Sequence, residues 1–271
     1  MTIRHALLLT IACAWVLTLH MLLLAGSAPV VRRLTAHVAG WPAGDAPLRL
    51  ALLSDTHPSA PGDTLDRLRR SVAEVNALRP DAVLLAGDYR FDGLAWKKPE
   101  AAAAVAPLGG LRAPLGVYAV LGNHDLHDAK AVADGLAAAG IRLMWNEALR
   151  LGPLAILGVA DATGGNADVA RTMASWRATG GIPVALTHSP DIVPELPPQV
   201  GLVLAGHTHC GQVRFPLIGA PVTQSRFGGR YACGVVREGA RTIIVGAGLG
   251  TSDLPIRLGA APDLWLVTIG R

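Results

Sequence analysis

The chain has 271 residues, of which 51% are hydrophobic, 16% charged and 4% aromatic, a balance too apolar and too weakly charged for intrinsic disorder. Its 31 Gly and 19 Pro follow no period and its three Cys are irregularly spaced, which excludes collagen-like, solenoid, disulfide-scaffold and Cys-ribbon zinc architectures. The net charge of +4 comes mostly from Arg4, Arg32 and Arg33, which precede the first acid, Asp45; the remainder holds 21 basic and 20 acidic residues, so no specific nucleic-acid binding is expected.

The first predicted element is a helix. Residues 5 to 31 contain no Asp, Glu, Lys or Arg, and Ala6 to Ala25 is predominantly aliphatic. Twenty helical residues reach about 30 Å, the thickness of a hydrocarbon core. A cleaved signal peptide has a shorter apolar region of about 7–15 residues, and Pro29 follows the small residues Gly26, Ser27 and Ala28 where a cut would fall. The expectation is an uncleaved anchor over 1–33, a single-pass helix in the cell (inner) membrane. His20 is read as a tolerated polar residue near one interface. With Arg4 on one flank and Arg32 and Arg33 on the other, the membrane face of the domain stays open. Gly40, Pro42, Gly44 and Pro47 mark 34–47 as a linker, leaving one domain over 48–271.

From Leu48 onward, apolar runs alternate with helical patterns, the signature of an α/β fold. Leu48 to Leu53 is a buried strand followed at once by Ser54-Asp55-Thr56-His57. Asp63 to Leu78 is an amphipathic helix, with apolar residues every three or four positions, that Pro80 terminates. Strand Ala82 to Ala86 runs into Gly87-Asp88. Pro99 to Leu108 reads as helix, and strand Leu115 to Leu121 empties into Gly122-Asn123-His124-Asp125. Pro183 to Thr187 ends at His188, and Leu202 to Ala205 ends at Gly206-His207-Thr208-His209.

Ligands in open α/β sheets bind outside the carboxyl ends of strands, so these five clusters can converge in one crevice. Any one of them has an ordinary reading as a turn or helix cap. No such requirement selects His repeatedly, yet five of the six His beyond residue 40 stand in these clusters, and only His127 is left over. Imidazole, carboxylate and amide donors suit divalent Mn, Fe, Co or Zn. Seven donors exceed one tetrahedral zinc; two metals about 3.5–4 Å apart would use them all, bind phosphate oxygens and lower the pKa of water to supply a nucleophile.

The blocks Asp-x-His, Gly-Asp, Gly-Asn-His-Asp, a later His and Gly-His-x-His occur in the order that marks the calcineurin-like metallophosphoesterases, and the chain resembles that family from residue 48 to its end. The stretch 248–259 is similar to the membrane-associated bacterial branch. The resemblance implies an α/β fold, a four-layer α/β/β/α sandwich, here preceded by one N-terminal transmembrane helix. It implies one metal held by Asp55, His57, Asp88 and His209, and a second held by Asp88, Asn123, His188 and His207. Asp88 would bridge them. His124 would contact the phosphate and assist the leaving group, while Asp125 would orient the loop. Three positions depart from the family. The acid that commonly follows Gly-Asp is displaced by one position to Asp92, and Pro58 follows the first His. Cys210 replaces a common Gly; it is read as a packed thiol, with a bond to Cys233 requiring an oxidising compartment.

The expected activity is metal-dependent hydrolysis of a phosphoester or pyrophosphate bond. The anchor directs attention to a phospholipid or lipid-linked substrate, with soluble phosphodiesters as the alternative. A member of another class, a catalytically inactive binding or scaffold protein of the same fold at the membrane, would lack some of these donors. The absence of a Gly-x-Ser-x-Gly sequence disfavours a serine hydrolase.

Overall fold

The computed structural model describes residues 2–58, 64–90 and 99–271. Helix α1 (Ile3–Ala25) is long and apolar enough to cross a membrane, and its large aliphatic side chains, Leu7, Leu8, Leu9 and Leu23 among them, are exposed. The chain continues through β1 (Val30–His37), β2 (Leu48–Leu53), α2 (Thr64–Ala77), β3 (Ala82–Leu85), α3 (Ala101–Val105), β4 (Val117–Ala119), α4 (Ala129–Ala138), β5 (Arg142–Leu143) and β6 (Glu147–Leu151). Then follow β7 (Leu154–Gly158), α5 (Val169–Thr179), β8 (Ile182–Leu186), β9 (Leu202–Ala205), β10 (Gly234–Glu238), β11 (Arg241–Val245) and β12 (Asp263–Gly270).

Two six-stranded sheets result, ordered β1-β12-β2-β3-β4-β5 and β10-β11-β9-β8-β7-β6. Their central strands, β2, β3, β7, β8 and β9, are buried on both faces, which is why they read as unbroken apolar runs. The side-chain period of two divides each run between two cores. Leu50 and Leu52 of β2, Leu84 of β3, Leu202 and Leu204 of β9 and Ile244 of β11 meet in a core between the sheets. The alternate residues Ala51, Leu53, Val83 and Leu85 pack outward against Leu68, Val72 and Val75 of α2 and Val132 and Leu136 of α4. On the far side, Val203 and Ile243 pack with Met173 of α5 and the Pro190–Glu195 turn. The layers are therefore α/β/β/α.

Several elements differ from the sequence expectation. The predicted linker at 34–47 begins inside a strand: β1 runs parallel to β12 in continuous register from Val30↔Asp263 to His37↔Gly270. As an edge strand it buries little beyond Ala36 and carries Arg32 and Arg33, so no apolar run announces it. The helix expected over Pro99 to Leu108 is α3 followed by a 3-10 turn, Ala106–Gly110, because Pro107 and the Gly109-Gly110 pair interrupt α-helical bonding. Asp63, the expected start of α2, and the displaced acid Asp92 lie outside the described residues.

Candidate metal centre

The five strand-end clusters do meet. Parallel strands β2, β3 and β4 deliver Asp55 and His57, Asp88, and Asn123 and His124 to one end of the first sheet; β8 and β9 deliver His188 and then His207 and His209 from the second. Their loops interlock through the backbone: Asp55 N–H donates to Gly87 O (2.9 Å), Thr56 N–H to Asp88 O (2.9 Å) and Gly206 N–H to His188 O (2.9 Å). The approach is too close for a side chain at Gly206, where a Cβ would stand 2.5 Å from Asp55 Oδ2. Asp55, His57, Asp88, His207 and His209 all have positive φ, 35° to 72°, uncommon for residues other than Gly. Such strain persists only where the surroundings enforce it, and it concentrates at functional sites.

At the centre Asp88 Oδ2 lies 3.3 Å from both His57 Nε2 and His188 Nε2 and 3.9 Å from His124 Nε2. Asp55 Oδ1 lies 3.5 Å from His209 Nε2, and both Asp55 oxygens accept the His207 N–H at 3.1 Å. Asn123 Oδ1 is 3.0 Å from His188 Nε2, and His207 Nδ1 is 3.1 Å from that same nitrogen. Among the described residues, three overlapping groups could each hold an ion: Asp55, His57 and His209; His57, Asp88 and His124; and Asp55, Asp88 and His188.

The residues fit divalent cations. Backbone carbonyls fix the outer nitrogens of three rings: His57 Nδ1 on Arg90 O (2.6 Å), His188 Nδ1 on Ala86 O (2.7 Å) and His207 Nε2 on Gln224 O (2.9 Å). A ring that donates outward turns its other nitrogen, as a lone pair, toward the crevice, the arrangement common to metal-ligating histidines. His209 Nδ1 is buried and has no hydrogen-bond partner among the described residues. Among the protein's own charges, burial opposes ionisation of Asp88, but His188 and His57 hold its carboxyl well below the usual carboxylate range. Burial likewise works against a proton on His188, and Asp88 outweighs it, raising that imidazole well above its ordinary value. Burial and the charge of His188 push His207 down to about 4; burial, then His57, lowers His209 far below the imidazole range.

A supporting layer surrounds this set. Asp125 is fully buried and accepts four backbone N–H groups, from Asp88 (2.8 Å), Tyr89 (2.8 Å), Arg90 (3.1 Å) and Gly122 (2.9 Å), so it orients the loop as expected. His127 lies in the 3-10 turn Asp125–Asp128 ahead of α4 and belongs to none of the groups that could hold an ion among the described residues. One feature escapes sequence reasoning, and a second settles an alternative that the sequence leaves open. Arg257 is completely buried and donates to Ala247 O (2.7 Å), Gly248 O (3.1 Å) and Ala260 O (3.0 Å), fastening the loop after β11 against Asp55, whose carbonyl accepts the Gly250 N–H at 2.6 Å. The glycines at 246, 248 and 250 are the available signal in the sequence. The second corrects an expectation: Cys210 is not a packed thiol but is bonded to Cys233, immediately after His209.

Residues 48–211 match the calcineurin-like phosphoesterase family. The chain is 30% identical to the uncharacterized metallophosphoesterase YkuE of Bacillus subtilis, over 84% of this chain and 81% of that one. It is 27% identical to the phosphodiesterase YaeI of Escherichia coli, over 83% of each. It is also 30% identical to a transmembrane protein with metallophosphoesterase domain of Danio rerio, over 80% of this chain but only 52% of the longer relative. The sandwich, the convergent Asp/His centre and these similarities lead to one conclusion: the chain belongs to the calcineurin-like phosphoesterase family.

Proposed function

We propose that the chain is a dinuclear-metal phosphoesterase that hydrolyses phosphoester or pyrophosphate bonds of a substrate held at the membrane. The observation that carries the proposal is Asp88 Oδ2, equidistant at 3.3 Å from His57 and His188 where the groups that could hold an ion overlap. In this reading Asp55, His57, Asp88 and His209 hold one ion and Asp88, Asn123, His188 and His207 the other, with Asp88 shared. Two divalent ions in such a set neutralise phosphate oxygens and lower the pKa of water to supply the nucleophile. His124 stands at the rim, its ring edge-on to His57 with centroids 5.0 Å apart and its backbone N–H on Asp88 Oδ1 at 3.1 Å. From there it would contact the phosphate and protonate the leaving oxygen. The anchor α1 supports a substrate at the bilayer, such as a phospholipid or a lipid-linked pyrophosphate, and the Cys210–Cys233 bond supports a domain on the oxidising, non-cytoplasmic face of the cell membrane.

The test is hydrolysis of bis-p-nitrophenyl phosphate after chelation and add-back of Mn, Fe, Co or Zn. Loss of even an outer-shell partner costs about 10–100-fold at metal sites, so Asp88→Asn should lower turnover by at least about 100-fold. Turnover unchanged by Asp88→Asn or by chelation would overturn the reading.

A further inference from the structure

The C-terminal end of α1 is fastened to the domain beside the metal centre. Arg257 N–H donates to Met21 O (3.0 Å) and the Arg67 guanidinium to Ala25 O (2.6 Å). His57 lines a cavity of about 260 Å³ together with Leu22 and Ala25 of α1 and Gly26 just after it. Alongside the helix stands a tight hairpin, closed by reciprocal bonds between Phe215 and Gly219 (2.9 and 3.0 Å) and tied to the body by Arg214 N–H on Leu258 O (2.7 Å). Its tip displays Leu217, fully exposed at a positive φ of 69°, and Ile218, 81% exposed. These are large aliphatic groups on a braced loop, which burial elsewhere in the chain does not explain.

The position of the hairpin says what covers it. His20 lines the same cavity as Phe215, Leu217 and Ile218. His20 precedes Ala25 by five residues, about 7.5 Å along the helix axis. The tip therefore descends beside α1 to a depth that a spanning helix places within the membrane boundary. A cavity of about 240 Å³ reaches His209; Val213, Pro221, Val222, Leu254 and Ile256 give it a mostly apolar wall, and Gln212, Gln224, Ser252 and Asp253 also line it. Val222 and Leu254 are more than half exposed, so this wall is open outward. Half-buried Arg214 lines the cavity at the hairpin and half-buried Arg67 the one beside His57, and the charged residue in the lining of the mostly apolar cavity itself is Asp253; the two arginines are suited to phosphate headgroups.

Resting on the phosphoesterase reading, we infer that the Phe215–Gly219 hairpin sits in the bilayer interface beside α1, and that the cavity behind it takes the hydrocarbon chain of a membrane-borne phosphoester whose phosphate reaches the metal centre. The substrate class is then an amphiphile presented by the bilayer, entering phosphate-first past the hairpin with its chain trailing into the cavity, and not a soluble nucleotide.

Two arms test this on the full chain in phosphatidylcholine–phosphatidylglycerol nanodiscs. In a Cys13→Ser background, an NBD label at Ile218→Cys should be quenched by acyl-brominated lipid, whereas one at Arg177→Cys, before β8 at the opposite end of the sheet, should not. A label at 218 that stays unquenched, or is shielded only as protein concentration rises, would mean solvent or a protein covers the hairpin and would overturn the inference. In the second arm, p-nitrophenyl phosphodiesters bearing a methyl or a dodecyl group are compared below the micelle concentration. Burial of a few methylenes favours the dodecyl ester by at least about tenfold in kcat/KM, and Val222→Gln or Leu254→Gln should bring that ratio toward one. Equal turnover of the two esters overturns the tail route alone; absence of turnover with either, metals present, overturns the phosphoesterase reading beneath it.

Discussion

Asp125 never faces the crevice as a donor to a metal, yet it decides where the donors stand. Its two oxygens hold Asp88, Tyr89, Arg90 and Gly122 N–H groups, so one carboxylate ties the loop after β3 to the loop after β4. Burial, then the charge of Asp88, raises its pKa to about 7. Asp125→Asn replaces one accepting oxygen by an amide that faces N–H donors, at a cost of about 1–3 kcal/mol. The melting temperature should fall by roughly 2–10 °C, and turnover by about 10–100-fold as the loops lose their setting; a variant that melts with the wild type would show that the four bonds do not position the loops. At this scale the sequence was most legible, because carboxylates and imidazoles placed directly after apolar runs have few structural uses. Asp55, His57, Asp88, Asn123, His124, His188, His207 and His209 were all found that way, and all stand in one crevice. Arg257 is not legible there, and the Cys210–Cys233 bond is legible only as an alternative to a packed thiol, since each depends on where the chain returns after β9 and β11, which no local pattern encodes.

At the scale of elements, the strands between two cores were legible and the edge was not. β2, β3 and β9 are apolar on both faces and bounded by turns, whereas β1 is held to β12 by backbone register and by one ion pair, Arg32 Nε to Asp263 Oδ2 at 2.6 Å. Asp263 is buried and also accepts the Ala247 N–H at 2.8 Å, so this pair links the edge strand to the loop that packs on Asp55. Burial raises the Asp263 pKa above its ordinary value; the Ala247 bond and Arg32 only partly restore it. A carboxyl whose folded pKa is raised destabilises the fold as pH climbs from the unfolded value of about 3.9 through the folded one, and costs nothing below both. Arg32→Ala lifts the folded pKa further. Because the guanidinium is partly exposed and screened, the expected penalty is about 1 kcal/mol near pH 7, shrinking toward zero near pH 4. Thermal melts of chelated wild type and variant at the two pH values check this; an equal penalty at both would assign the loss to packing and not to Asp263.

For the whole molecule, the charge balance, the N-terminal helix and the sandwich describe a nearly neutral domain attached at one end to a helix long and apolar enough to cross a membrane, with the candidate metal centre at that same end. The bond between Cys210 and Cys233 leaves Cys13 as the free thiol among three cysteines. Maleimide labelling of the denatured, membrane-extracted chain should therefore modify one cysteine before reduction and three after it. Three before reduction would put the domain in a reducing compartment. A two-ion site shared by five strand ends fixes the metal content of the chain. Full-length protein purified without chelator and measured by elemental analysis should carry about two divalent ions per chain, and Asp88→Asn, which loses the shared ligand, should retain about one or none; one ion or fewer in the wild type after saturation with Mn, Fe, Co or Zn, or two in the variant, would contradict it.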